Sequence, residues 1–220
     1  MDNSVITRLC RWPLKPARST RSRIDAAACG NYETLAFNQW YTHQCVSAGY
    51  SDVRTALESD SATAIGEGTE AFVQHSLEIG DYTLLRIGLK FTAIHASPKQ
   101  LRLEFWADEN YAGGAIEAVK LAKTVDLSAV AAWKSMYDAR ATALAHDTMA
   151  GTHIEGVFYT YTRYSVDIPP DWVADDDTLT LGLMHSQDVD GVAPEIDQLF
   201  AALENDGVEG THPPQLYVRW

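Results

Sequence analysis

The sequence predicts a mainly β fold: an antiparallel β-sandwich, jelly-roll-like, with one or two inserted helices and an extended N-terminal arm. Three observations carry this. Residues 84–95, LLRIGLKFTAIH, alternate apolar and polar side chains, the period of a strand with one buried and one wet face. Residues 101–106, LRLEFW, alternate again after the turn-like SPKQ, and two such runs joined by a short turn read as a hairpin. No strand–helix–strand rhythm of a parallel sheet runs through the chain.

The elements follow in order. Residues 1–23 carry Pro13 and Pro16 among basic residues, and each proline turns its predecessor away from helix. They form an extended arm, and residues 24–220 an acidic sandwich domain. Residues 31–50, rich in aromatics, predict one or two strands. The alternating pair at 84–95 and 101–106 follows, then a loop at 107–114. Val119, Leu121, Val125 and Leu127 place a strand at 118–127. Ser128 can cap a helix running to about residue 146, with Val130, Trp133, Tyr137, Ala141 and Leu144 on one side. Residues 156–168 are β-branched and aromatic, hence a long strand that Pro169 and Pro170 stop. An acidic turn and an alternating strand occupy 175–185. Pro194 can open a second helix over 194–204, and QLYVRW closes the chain as a strand.

Charge divides the chain sharply. Residues 1–24 hold six basic residues against Asp2 alone, about +5, within a chain of net charge -13, so the rest carries about -18. That acidic body repels phosphate backbones and anionic membranes, which argues against nucleic acid and membrane insertion as partners. No apolar run follows the early charges, so signal-peptide export is not expected, and no stretch approaches the roughly 20 apolar residues that span a bilayer. Three cysteines, Cys10, Cys29 and Cys45, are odd in number and widely spaced, which suits a reducing compartment better than a disulfide framework.

The candidate chemistry weighs against an enzyme. Gly66 and Gly68 in IGEGTEA lack the strand–turn–helix setting a dinucleotide site needs. Asp188, Asp190 and Glu195 around Gly191 could offer oxygens to Ca²⁺, but without EF-hand spacing they read first as a solvated acidic loop. Asp175, Asp176 and Asp177 read as a wet turn. His43 and Cys45 form an H-x-C pair better explained by burial than by zinc. No nucleophile elbow or phosphate loop is present, and a Glu104–Asp108 carboxylate pair is one of many that thirty acids produce. No cofactor is expected. Among the aromatics, Trp106 and Trp172 could form a stacking platform for a surface glycan. The plainer reading has Trp and Tyr filling a strand face covered by helices.

The arm then needs a receiver, and a protein fits best: other copies of this chain or a larger assembly with acidic surface. Its contacts would be Arg8, Arg11, Lys15, Arg18, Arg21 and Arg23, with Leu9, Trp12 and Leu14 as apolar anchors. A short anchoring N-terminus before paired strands (LLRIGLKFTAIH and LRLEFW), SVDIPPDWVADDDTLTLGLMH and a closing QLYVRW resembles the virion structural proteins of tailed bacteriophages, such as head fibres, decoration proteins and neck or tail appendages. The resemblance is architectural and transfers no site residue. It implies a non-enzymatic structural role in a virion assembled in the host cytoplasm, with partners that are copies of itself and other virion proteins. The alternative is a carbohydrate-binding sandwich module.

Overall fold

A computed structural model of the chain describes residues 32–55, 64–66, 70–78, 80–95, 97–108, 115–155, 159–194, 200–204 and 213–220. The strands are β1 (Tyr32–Ala36), β2 (Gln39–Ser47), β3 (Ala64–Gly66), β4 (Glu70–Glu78), β5 (Asp81–Phe91), β6 (Gln100–Asp108), β7 (Ile116–Lys120), β8 (Leu144–Ala145), β9 (Asp147–Glu155), β10 (Tyr159–Ile168), β11 (Leu179–His185), β12 (Phe200–Glu204) and β13 (Gln215–Arg219). Among the described residues three short α-helices accompany them: α1 (Tyr50–Thr55), α2 (Ala131–Asp138) and α3 (Ser186–Asp190).

The strands make two antiparallel sheets packed face to face, the expected sandwich. In the first, β5 lies between β2 on one edge and both β4 and β11 on the other, and β7 and β8 continue past β11. In the second, β6 lies between β10 and β13, with β9 and β1 outside them. β12 joins the two at a corner, pairing along β4 and touching β6 at Leu203 opposite Ala107.

The core between the sheets follows from the period-2 pattern. Ile87, Leu89 and Phe91 of β5, with Leu179, Leu181 and Leu183 of β11, meet Leu101, Leu103 and Phe105 of β6 and Val166, Ile168, Leu216 and Val218. Burying each such side chain contributes about 1.5–3 kcal/mol.

Five expectations change. β5 and β6 are strands but not a hairpin, since they lie in opposite sheets. The connection between them passes over the core's end, where Ile94 is fully buried. The face of β5 expected to be wet is also covered, with Arg86 0 % exposed. The helix expected over 128–146 shortens to α2 and a 3-10 turn, Ala139–Thr142, before β8 begins. Ser128 bonds Asp126 instead of capping it. Residues 200–204 of the expected second helix are strand β12, because its backbone completes the ladder beside β4. The strand expected at 118–127 is β7, which ends at Lys120.

Candidate functional site

The densest polar constellation lies on the outer face of the first sheet, under the helices. Gly88 of β5 and Gly182 of β11 stand directly opposite one another. A Cβ on Gly88 would fall 2.7 Å from Leu127 Cδ2, and one on Gly182 would fall 2.8 Å from Met136 Cγ. This glycine saddle lets α2 and the loop before it sit close, and Leu127, Ala132 and Met136 pack there with Val119 and Met184.

Beside the saddle, Arg86 is held on every side. Its Nε donates to Asp188 Oδ2 at 2.7 Å and its Nη2 to Asp188 Oδ1 at 2.9 Å. Nη1 donates to the Trp133 carbonyl at 2.9 Å and Nη2 also to the Arg54 carbonyl at 3.2 Å. The guanidinium lies 4.0 Å from the centre of the Trp133 ring, whose Nε1 donates to the Val53 carbonyl at 2.9 Å. One side chain thus ties α1, α2 and α3 to β5. A second guanidinium, Arg54, lies 5.5 Å from the Tyr50 ring centre and 5.2 Å from that of Tyr137, and donates to the Asp188 carbonyl at 2.7 Å. Burial pushes the Tyr50 hydroxyl up to about 12, and it donates to the Val192 carbonyl at 2.9 Å.

His43 pairs across the strand with Arg86 and is fully buried, neither ring nitrogen having a hydrogen-bond partner among the described residues. Burial brings its pKa down to about 4; the Leu127 backbone opposes that shift and the Arg86 charge adds to it. A neutral imidazole beside the buried Arg86 guanidinium, the part-buried Arg54 and one carboxylate is what this site tolerates.

The outer face of the second sheet is different. Arg102 Nε donates to Asp167 Oδ1 at 2.7 Å, and Arg163 donates to Glu104 with both side chains buried. Burial holds the Glu104 carboxyl above its ordinary range, with Arg163 working the other way. Trp106, Ser165 and Tyr217 share this face and are buried too, although no described helix packs there.

Asp188 was a candidate Ca²⁺ ligand; both its oxygens are engaged by Arg86, so the cation it faces is a guanidinium. Asp190 is exposed at the end of α3, and Glu195 lies outside the described residues. Among the described residues no group of three metal-ligating side chains occurs. Trp106 and Trp172 are each only 9 % exposed, so neither presents an open ring for stacking on a sugar. Trp172 packs into the core instead. Cys45 is buried on the first sheet's outer face, whereas Cys10 and Cys29 lie outside the described residues. Glu104 is paired with Arg163 rather than with a second carboxylate. Gly66 ends strand β3. The acidic turn is real: Asp175 pairs with Lys123, and Asp177 takes a φ of 61°. The arm residues Arg8, Leu9, Arg11, Trp12, Leu14, Lys15, Arg18, Arg21 and Arg23 all lie outside the described residues.

Reading the sequence missed Arg86, Asp188, Arg54 and His43 as one cluster. The signal available was a lone arginine and a glycine on the polar side of an otherwise apolar strand, matched by a second glycine in LTLGLMH.

No family model matches the chain, and no curated protein matches it. Among solved structures, the K1 cleaved adhesin domain of Lys-gingipain from Porphyromonas gingivalis W83 is similar at 14 % identity and a TM-score of 0.34, over 86 % of this chain and 98 % of that one. Nothing is carried from it to this chain.

Proposed function

We propose that the protein is a non-enzymatic structural subunit of a virus particle, anchored through residues 1–23 to neighbouring copies or to other proteins of the particle. The observation that carries this reading is the charge split: about +5 in residues 1–24 against about -18 in the rest. A basic segment with Leu9, Trp12 and Leu14 interspersed is complementary to the acidic surface of a second copy. The sandwich itself supports a scaffold role, because the strongest polar cluster among the described residues is spent on holding helices to a sheet. A buried, saturated ion pair of this kind leaves Asp188 and Arg86 no free valence for a substrate.

A labelled peptide of residues 1–23, titrated with a chain beginning at residue 24, tests the reading. Binding in low salt that weakens steeply as salt rises is the expected result, since screening shortens the reach of exposed charges. Absence of binding in low salt would contradict lacing between copies.

A further inference from the structure

His43 sits beneath the helices on the outer face of β2, the face it shares with Cys45. It is 0 % exposed, and neither ring nitrogen has a hydrogen-bond partner among the described residues. Across the ladder it faces Arg86 on one side and Ile65, which brings no charge, on the other.

The charged groups of the neighbouring elements leave no counter-ion for a second cation there. On α3, Asp188 gives both oxygens to Arg86 at 2.7 and 2.9 Å and lies 3.5 Å from Arg54 Nε, while Asp190 is exposed. On α1, Arg54 adds positive charge and Asp52 is exposed. On α2, Lys134 and Asp138 pair with each other. In the loop before α2, Lys123 pairs with Asp175, and Asp126 accepts from Ser128. On β4, His75 pairs with Leu84, one strand further from β2, and Glu117 of β7 lies three strands away. Among the described residues, the Leu127 backbone alone favours a proton on His43.

We propose that α1, α2 and α3 form an acid-sensitive latch on the first sheet: a proton taken up by His43 sets two cations side by side before one carboxylate, and the helical layer lifts while the sandwich beneath stays folded. Packing lets the layer move alone. Leu127, Ala132 and Met136 with Val119 and Met184, and Val53 and Trp133 with Cys45 and Leu84, form clusters separate from the core between the sheets. The helices have six, eight and five residues, too few to persist without those contacts. Units with few buried contacts open at less than the global free energy. The sign follows from the imidazole. The closed layer keeps His43 neutral down to about pH 4, against an ordinary 6.5, so the open form binds the proton first. Its population is expected to grow about 100-fold from pH 7 to pH 4.

Hydrogen exchange of the full chain at the two pH values tests the latch, with each amide rate referred to an unstructured peptide at the same pH. The α2 amides are expected to be less protected than those of β6 at either pH, and to lose about 100-fold of their protection on acidification. His43→Leu, uncharged throughout, is expected to hold α2 protection within a few-fold, and His43→Gln makes the same comparison should leucine disturb the fold. Equal protection in α2 and β6 would overturn the latch, because the layer would then leave only with global unfolding. So would wild-type α2 protection that is the same at both pH values, or a loss in both His43 variants as large as in the wild type.

Discussion

Arg86 and His43 occupy facing positions on neighbouring strands, and both are sealed from water. The guanidinium is tolerable there because one carboxylate and two carbonyls answer it, and a buried cation without such partners is costly. Removing the carboxylate alone should therefore be severe. Asp188→Ala is expected to lower the unfolding free energy by about 3–5 kcal/mol in urea denaturation, whereas exposed Asp176→Ala should leave the urea midpoint close to that of the wild type. His43 gives a pH dependence of definite sign. Its folded pKa of about 4 lies below the ordinary 6.5, so the unfolded chain takes up a proton that the folded chain refuses. Its contribution is fully present above pH 6.5 and is lost as pH falls toward 4, by about 3 kcal/mol in all. Urea midpoints measured across that window should fall in the wild type and flatten in His43→Leu. An equal slope in both would remove His43 from the account.

At the scale of elements, the glycine pair decides how closely the helices approach. Gly182→Ala places a methyl 2.8 Å from Met136 Cγ and 2.9 Å from Val119 Cγ2, which overpacks the layer at a cost of about 1–3 kcal/mol. Near-UV circular dichroism should register the shift at Trp133. A change in stability with the Trp133 signal untouched would mean that the layer is not seated on the glycines.

The same elements show what the sequence could and could not tell. Strand β5 was legible because Leu85, Ile87, Leu89 and Phe91 recur at period 2, and β6, β11 and β13 were legible for the same reason. Their partners were not. Alternation says that a face is buried without saying by what, so Arg86 and Gly88 looked solvated when helices covered them. The SPKQ turn suggested a hairpin, but β5 and β6 lie in opposite sheets, with Ala93 and Ser97 at φ 60° and 67° between them and Ile94 buried in the core. Strand β9 escaped notice because DTMAGTHIE carries little apolar alternation; its pairing with β10 makes it a strand. Helix α3 hid in an acidic run whose Asp188 is chosen for an arginine, not for water or metal.

For the whole molecule, the proposed assembly role rests on the charge split between residues 1–24, about +5, and the rest, about -18. The helices are pinned to the first sheet by one buried network. A basic N-terminal stretch precedes the sandwich in the sequence. Light scattering behind size exclusion, comparing the full chain with one beginning at residue 24, tests the assembly claim most directly. The truncation removes only the basic residues 1–23. The account predicts a multimer that dissociates in high salt for the full chain and a folded monomer for the truncation. Two monomers, or two multimers of equal size, would contradict it.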